Sequence, residues 1–194
     1  MVQSWETLEE SCRSCQACPL GRTRQNLVFG VGPKDAEVML IGEGPGAEED
    51  AKGEPFVGRS GKLLDTMLAA VGLSRYRNVY IANMVKCRPP QNRDPLPGEQ
   101  DMCIHWLRGQ AALLRPRIVV CVGRVAACRL IDENFKVTRQ HGQFFEKNGT
   151  LMMGTLHPAA LLRDPGKKPE AFADWLALRD KIGEVCTHTQ LWYE

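Results

Sequence analysis

The sequence has no apolar segment long enough to span a membrane and almost no excess of charge of either sign. Its 25 Lys and Arg residues nearly balance 23 Asp and Glu residues, which leaves a formal net charge of +2 at pH 7. The field of the whole chain therefore attracts nucleic acid only weakly, so a nucleic-acid-binding face has to be a local basic patch. Residues 1–6 also lack the basic-then-apolar order of a signal peptide. These absences favour a cytoplasmic protein with no membrane partner.

Eight cysteines are present, and without a secretory leader they favour metal ligation and buried thiols over disulfides. Three of them lie within apolar strand or helix patterns and are interpreted as core residues: Cys121, Cys128 and Cys186. The pair Cys87-x15-Cys103 could join an amino-terminal Cys-x2-Cys around a tetrahedral sulfur site. The spacing allows either zinc or an iron–sulfur cluster. It also leaves three candidates for the two amino-terminal ligands: Cys12, Cys15 and Cys18.

Strand-length apolar runs alternate with helical patterns along the chain. The strands are predicted at residues 37–42, 79–82, 117–122 and 151–156. A long glycine-rich loop separates the first strand from a helix that begins near Leu63. This alternation predicts one domain over residues 1–194, with a mainly parallel sheet covered by helices on both faces. Ligands bind such sheets beyond the carboxyl ends of the strands, which places four residues on one rim: Glu43, Asn83, Gly123 and His157.

The side chains expected at this rim suit the recognition of a nucleobase. Asn83 carries both a donor and an acceptor for the edge of a base, and His157 can donate a hydrogen bond to a developing anion. Phe56, in the glycine-rich loop, offers a flat stacking face. Each residue also has a simpler interpretation: Asn83 as a turn residue, His157 as part of a capped loop and Phe56 as a core side chain. Their joint appearance at strand ends favours a base-binding pocket.

Four segments of the sequence resemble the family 4 uracil-DNA glycosylases, the iron–sulfur members of the uracil-DNA glycosylase superfamily. They are residues 42–50 (GEGPGAEED), 53–58 (GEPFVG), 83–93 (NMVKCRPPQNR) and 157–163 (HPAALLR). The resemblance implies an α/β fold, a three-layer α/β/α sandwich with a central four-stranded, mainly parallel sheet. It also implies a [4Fe-4S] cluster that ties an amino-terminal arm of about residues 1–30 into the domain. The implied ligands are Cys15, Cys18, Cys87 and Cys103, with Cys12 left over.

The resemblance implies a monofunctional DNA glycosylase that flips uracil out of DNA and hydrolyses its N-glycosidic bond. The product would be an abasic site, as in base excision repair. Phe56 would stack on the base, and Asn83 would bond to its N3–H and O4 edge, where cytosine presents the opposite pattern. His157, with the loop amides near Glu43 and Gly44, would stabilise the negative charge on the leaving base.

A water molecule must then attack the sugar. The resemblance implies that Glu49 and Asn92 position or activate it. The first motif contains no Asp-Pro-Tyr, so the general base of the best-known glycosylases is absent. Glu49 also has the simpler interpretation of a solvated acid or an acid at a helix start.

Contacts with DNA are expected beside the pocket. Ser60 and Lys62 open a helix and offer backbone N–H groups and a cation to a phosphate, unless they form only a helix cap. Leu161 could enter the space left by the flipped base and Arg163 could contact a phosphate, although Leu161 could equally be a core residue. Arg88 belongs to a basic rim whose other candidates are Lys86, Arg93, Lys167 and Lys168.

The expected partner is uracil-containing DNA, single- or double-stranded, bound by a monomer. The tail at residues 189–194 (TQLWYE) is a hypothetical docking peptide for a replication clamp, although a terminal aromatic pair usually packs on its own domain. A redox protein or a zinc-stabilised binding module without catalysis are alternatives from other classes. A covalent uracil-capturing relative would need a histidine in the segment that follows the second motif, and residues 88–95 contain none.

Overall fold

A five-stranded sheet forms the centre of the protein in the computed structural model, which describes residues 4–193. The strands are β1 (Val38–Gly42), β2 (Val79–Asn83), β3 (Ile118–Val122), β4 (Phe144–Lys147) and β5 (Thr150–Thr155). Their order across the sheet is β2-β1-β3-β5-β4. Strands β1, β2, β3 and β5 are parallel, and β4 runs antiparallel to β5 at the edge. The mainly parallel sheet is therefore confirmed.

The expected count of four strands was too low by one. The additional strand, β4, forms a hairpin with β5 through Asn148 and Gly149, whose φ angles are 53° and 77°. Positive φ at both central residues is the geometry of a two-residue hairpin turn, and Asn-Gly is a strong sequence signal for it. The prediction of residues 151–156 as the fourth strand did not use that signal. The remaining four strands lie within one or two residues of their predicted positions.

Nine α-helices connect these strands within residues 4–193, and none of the nine has the length and apolar character that crossing a bilayer requires. The five longest are α1 (Trp5–Arg13), α4 (Arg59–Ala69), α5 (Pro97–Leu114), α6 (Arg124–Leu130) and α9 (Lys168–Val185). The four shorter helices are α2 (Leu20–Thr23), α3 (Ala47–Lys52), α7 (Val137–Gln140) and α8 (Pro158–Arg163). The loop expected between β1 and α4 thus contains a helix. Two 3-10 helices complete the set, Pro90–Asn92 and Pro165–Lys167.

Both faces of the sheet are buried, as the apolar strands require. Leu40 and Val120 face α4 and α9, where they pack in a cluster that includes the fully buried Trp175. Met39 and Cys121 point to the opposite face, toward α5 and α6. Full burial of each large apolar side chain contributes roughly 1.5–3 kcal/mol. The arrangement is a three-layer α/β/α sandwich, and the carboxyl ends of its four parallel strands meet at one edge.

The chain after α9 returns to the body of the protein and is tied to Glu37. Thr187, His188 and Thr189 donate five hydrogen bonds of 2.8–2.9 Å to the Glu37 carboxylate, three from backbone N–H groups and two from hydroxyls. Burial alone would raise the pKa of Glu37, but these bonds bring it down to about 2. Because its pKa is lower in the folded chain, Glu37 contributes stability at neutral pH that is lost as the pH falls toward 2.

Replacing Glu37 with glutamine is expected to lower the free energy of unfolding at pH 7 by roughly 2 kcal/mol. The difference from the unmodified protein should shrink at pH 3, because the unfolded chain, with its ordinary pKa of 4.5, has taken up the proton there while the folded carboxylate is still ionised. Urea denaturation at the two pH values measures this, with the exposed neighbour Asp35→Asn as a control that leaves the five bonds intact. A loss of equal size at both pH values would contradict the role of the carboxylate charge.

Candidate active site

A cleft of about 620 Å³ opens at the edge where the parallel strands end. Its walls come from the segments that follow β1, β2, β3 and β5, together with α7. All seven residues expected to bind the base or take part in catalysis line it: Glu43, Gly44, Glu49, Phe56, Asn83, Asn92 and His157. The structure therefore brings together residues that lie up to 114 positions apart in the sequence.

Asn83 ends β2 with a buried side chain that lacks one partner. It is 2% exposed, and its Oδ1 accepts no hydrogen bond from any residue the structure describes. Leaving a buried acceptor unpaired costs about 1–3 kcal/mol, so this oxygen is poised to accept a bond from a ligand. A Cβ at Gly42 on the neighbouring strand would lie 2.4 Å from Oδ1 and 2.6 Å from the ring of Phe56. Only glycine at position 42 leaves room for both side chains.

His157 begins α8 and is held as a neutral imidazole. Its Nδ1 accepts a 3.1 Å hydrogen bond from the backbone N–H of Ala159, which leaves the proton on Nε2. Burial and, to a smaller extent, the positive charge of Arg163 lower the pKa of His157 to about 4, against the opposing effect of Glu49. The loop at Gly123, with φ of 97°, packs directly against the ring, since a Cβ there would lie 3.0 Å from the Cβ of His157. His157 thus presents a neutral N–H donor at pH 7.

The rings of Phe56 and His157 lie side by side in the cleft. Their centroids are 5.6 Å apart and their planes are inclined by 31°. A base inserted between the two rings would need about 7 Å, two stacking distances. A base in this cleft can therefore stack on one face of Phe56 with its edge toward His157, but it cannot lie between them.

Glu49 is a fixed, buried carboxylate in α3. Its Oε2 accepts a bond from the backbone N–H of Gly46 at 3.1 Å, and its Oε1 accepts bonds from Val57 and Gly58, both at 2.9 Å. These three bonds join the beginning of α3 to the segment that leads into α4. Glu49 is therefore more than a solvated acid, because it also determines the shape of the loop that carries Phe56. Its side chain still borders the cleft.

Polar side chains from the segment between β2 and α5 line the cleft next to Glu43. Asn92 is exposed, with φ of 56°, and its Oδ1 accepts a 2.7 Å bond from Nε of Arg88. Burial and, to a smaller extent, the neighbouring Asp94 carboxylate raise the pKa of Glu43 to about 7, against the attraction of Arg124. Arg124 also forms an ion pair with Asp94. The carboxyl groups of Glu43 and Asp94 therefore lie so close together on this side of the cleft that ionisation of one disfavours ionisation of the other.

A second, smaller cavity lies beside the end of α1. It is lined by five cysteines: Cys12, Cys15, Cys18, Cys87 and Cys103. The backbone N–H of Lys86 donates to Sγ of Cys103 at 3.3 Å, and Arg24 donates to Sγ of Cys87 at 3.1 Å. Among residues 4–193, no three His, Cys, Asp or Glu side chains are grouped so as to hold a single metal ion. An iron–sulfur cluster makes a different demand, because each thiolate binds its own iron atom. The thiols around one cavity, with donors aimed at two sulfurs, fit that demand.

Comparison with known proteins decides the family. The model of the uracil DNA glycosylase superfamily matches residues 29–178. A type-4 uracil-DNA glycosylase from Archaeoglobus fulgidus is 42% identical over 197 aligned residues, covering 97% of this chain and 96% of that protein. A type-4 enzyme from Thermotoga maritima is 42% identical over 82% of this chain and 83% of its own length. This chain belongs to the type-4 uracil-DNA glycosylases.

The fold agrees with a solved structure of more distant sequence. SMUG2 from Pedobacter heparinus superposes with a TM-score of 0.50 at 13% identity, over 77% of this chain and 76% of that chain. At this level of identity the likeness concerns the fold alone. The three-layer arrangement of the type-4 chain therefore has a structural counterpart.

The residues expected to contact DNA in this type-4 chain occupy different environments. Ser60 and Arg163 line the cleft, and Lys62 is exposed on the same helix as Ser60. Arg88 is half-buried and bonded to Asn92. Leu161 was expected to enter the DNA, but it is fully buried in the core, so it has no surface to offer.

Lys86 is also unavailable to the basic rim of this glycosylase. It is 1% exposed, and its ammonium donates to the backbone oxygen of Asn83 at 3.0 Å and to Oε1 of Gln110 at 2.6 Å. Burial lowers its pKa to about 8. Its place is inside the protein, between the cysteine cavity and the strand end that carries Asn83. Lys167, by contrast, does line the cleft.

Sequence reasoning missed the wall formed by Val137 and Thr138 and the pair Asp94 and Arg124, all of which border the cleft. Helix α7, which carries Val137, has only four residues, too few for a periodic pattern. The ion pair joins positions 30 residues apart. No local signal in the sequence identifies either feature.

Proposed function

We propose that this chain removes uracil from DNA by hydrolysing the N-glycosidic bond of a flipped deoxyuridine, which leaves an abasic site for base excision repair. The observation that carries the proposal is the unpaired, buried Oδ1 of Asn83, which shares one cleft with the Phe56 ring and the neutral N–H of His157. Membership of the type-4 family supports the same reaction. The substrate is uracil-containing DNA, in single or double strands, in the cytoplasm of a prokaryote.

Recognition of the base follows from the donors and acceptors of Asn83. Uracil offers an N3–H to the unpaired Oδ1, and its O4 accepts from the amide nitrogen. Cytosine offers an acceptor at N3 and an amino group in place of O4, so both contacts would be repulsive. The base stacks on Phe56, which offsets part of the cost of leaving the DNA stack. Selectivity therefore rests on a polar contact that the wrong base leaves unsatisfied.

Departure of the base places negative charge on it. The bond between C1′ and N1 breaks with its electron pair going to uracil, and charge accumulates at O2 while the sugar gains oxocarbenium character. We assign the Nε2–H of His157 and the loop amides near Glu43 and Gly44 to the stabilisation of that anion. Neutral donors fixed before the reaction are effective because they need not reorganise as charge develops.

The attacking water is assigned to Glu49 and Asn92. Glu49 is a fixed acceptor, and its carboxylate charge also favours the positive charge that develops on the sugar. Asn92 lines the cleft and is exposed to solvent. Water adds its oxygen to C1′ and releases a proton toward an acceptor, for which Glu49 is the candidate.

A [4Fe-4S] cluster on Cys15, Cys18, Cys87 and Cys103 is the proposed cofactor. Its role is structural: it cross-links the amino-terminal arm to the segment that follows Asn83 and so holds one wall of the cleft. Arg24 and the backbone of Lys86, which already donate to two of the sulfurs, would offset the negative charge of the thiolates. Cys12 lies in an apolar cluster with Leu8 and Leu27 and is left outside the ligand set.

Replacing Cys103 with serine is expected to abolish a reductant-sensitive absorbance at about 400 nm and to lower the unfolding temperature by several degrees. Iron analysis of the purified protein checks the same point. Cys12→Ala is the matched control, and it should retain both the absorbance and the iron. Full absorbance in the Cys103 variant, or zinc in place of iron, would contradict the assignment.

The proposed reaction is tested with matched oligonucleotides that contain either uracil or cytosine at one position. Treatment with alkali cleaves the strand at an abasic site, so the expected result is cleavage of the uracil strand alone. Protein with its full complement of iron that binds the DNA but produces no abasic site would favour the binding-module alternative. A protein–DNA adduct stable to denaturation would favour the covalent alternative.

A contact with a replication clamp remains a proposal for the carboxyl-terminal tail. Residues 187–189 are tied to Glu37, and the backbone N–H of Trp192 donates to the oxygen of Gly72 at 2.9 Å. Trp192 and Tyr193 nevertheless expose 49% and 62% of their surface, and Glu194 lies outside the described residues. We expect a double Trp192→Ala, Tyr193→Ala variant to lose clamp binding in solution while keeping uracil excision. Equal clamp binding by both proteins would exclude this site.

A further inference from the structure

Arg75 is a buried arginine that has no part in the reaction described above. It is 2% exposed and lies in the connection between α4 and β2, and it does not border the cleft. Its guanidinium donates from Nη1 to the backbone oxygen of Pro55 and from Nη2 to that of Phe56, both at 2.6 Å. Its Nε donates to Asp65 at 2.9 Å. Two consecutive carbonyl groups, the second belonging to the stacking residue, are thus held by one side chain.

Phe56 needs such support because its backbone conformation is unusual. Its φ is 53°, in the left-handed region that bulky side chains rarely adopt. Its carbonyl lies against α4 at Gly61, where a Cβ would be 1.9 Å from the oxygen of Phe56. Its ring lies against Gly42, where a Cβ would be 2.6 Å from two ring atoms. The ring can occupy this place only while the peptide keeps its left-handed turn.

We propose that Arg75 is a positioning residue for base recognition: it locks the strained peptide of Phe56 so that the ring forms the stacking floor of the cleft. The inference rests on the proposed function. A planar guanidinium suits this task because it donates two bonds in a rigid fork, whereas a lysine ammonium is a point donor. Asp65 orients the guanidinium and balances its buried charge. Without Arg75 the peptide relaxes toward negative φ and the ring leaves the floor.

A double-mutant cycle tests this coupling. Arg75→Met keeps much of the side-chain length and removes every donor. It is expected to lower the single-turnover excision rate by about 10- to 100-fold, while the affinity for DNA that already contains an abasic site changes by less than about threefold. Arg75→Lys should recover part of the loss. In a Phe56→Ala background, Arg75→Met should add less than about a twofold loss, because the ring it positions is absent.

The matched control is Arg77→Met. Arg77 lies in the same connection but is exposed and stacks over the Trp192 ring with no bond to residues 55–56, so its replacement should leave the excision rate unchanged. An Arg75→Met effect of equal size with and without Phe56 would overturn the proposal, and so would an unchanged rate. If Arg75→Met does not fold, Arg75→Lys and Asp65→Asn replace it in the double-mutant cycle. Each is expected to lower the excision rate severalfold when Phe56 is present and to have little further effect in the Phe56→Ala background.

Binding of free uracil, followed by NMR titration, separates this inference from the proposed function. If the unmodified protein excises uracil, the cycle tests Arg75 alone. If it binds uracil without excising it, the proposed reaction fails, and a roughly tenfold weaker uracil affinity in Arg75→Met still supports the positioning role. Equal uracil affinity in the two proteins overturns it. A protein that neither excises nor binds uracil overturns both.

Discussion

Replacing His157 with asparagine is expected to lower the single-turnover rate of uracil excision by about two to three orders of magnitude. Asparagine is the informative choice because it is a favourable residue at the start of a helix, so its oxygen can replace Nδ1 as the acceptor for the N–H of Ala159. The variant therefore keeps α8 while it removes the imidazole donor. His157→Ala, which removes both, should be equally slow and also less stable.

The measurement is a single-turnover time course with DNA that carries one uracil and with enzyme in excess. His105→Ala is the control, since His105 is exposed on α5 outside the cleft and its loss should leave the rate unchanged. A slow His157→Asn enzyme that binds uracil-containing DNA normally would place the effect in the chemical step. A rate within about threefold of the unmodified enzyme would contradict the anion-stabilising role.

The pH dependence of stability gives an independent check on the state of His157. Its pKa is about 4 in the folded chain against an ordinary value of 6.5, so the unfolded chain takes up the proton first as the pH falls. His157 therefore reduces stability progressively between pH 6.5 and 4, and the stability is regained as the pH rises. Denaturation of His157→Asn over that range should show a smaller loss. The excision rate of the unmodified enzyme should not depend on His157 protonation above about pH 5.

The assembly of the cleft could be predicted because parallel strands bring their carboxyl ends to one edge. Asn83 ends β2 and His157 follows β5, and the apolar runs that precede them identify both strands in the sequence. The chemistry of the two side chains then indicates a base-binding pocket. The structure confirms the position of Asn83 and His157 at one edge, which depended on strand periodicity and topology alone, and their roles toward a base stay a prediction.

The errors arose where tertiary contacts decide the environment of a side chain. Leu161 and Lys86 both lie beside functional motifs, yet both are buried, and Lys86 is satisfied by Gln110 on α5, 24 positions away. A lysine in a motif rich in Arg and Pro gives no local sign that its ammonium will point inward. Arg75 illustrates the same difficulty, since its partners at positions 55 and 56 precede it by about 20 residues and are backbone atoms.

Replacing Asn83 with aspartate is expected to reduce the preference for uracil over cytosine by about a hundredfold or more. The new carboxyl group occupies a site that is 2% exposed, where burial raises its pKa and favours the neutral form. A neutral carboxyl donates through its O–H and accepts through its other oxygen. It can therefore donate to N3 of cytosine and accept from the amino group at C4, contacts that the amide of Asn83 does not make while its oxygen faces N3.

This mechanism makes the new activity depend on pH in a defined direction. Cytosine excision by Asn83→Asp should increase as the pH falls, because only the protonated carboxyl matches cytosine, and it should fade as the carboxyl ionises at higher pH. Alkali cleavage of matched uracil and cytosine oligonucleotides across that range measures both activities.

Asn83→Ala separates the loss of the old contact from the gain of a new one. It should lose uracil excision by about a hundredfold without gaining any activity on cytosine, because it offers neither donor nor acceptor. Unchanged selectivity in Asn83→Asp would show that the unpaired oxygen at the end of β2 does not read the base. Equal gains on cytosine in the aspartate and alanine variants would mean that steric access, and not the hydrogen-bond pattern, excludes cytosine from the unmodified cleft.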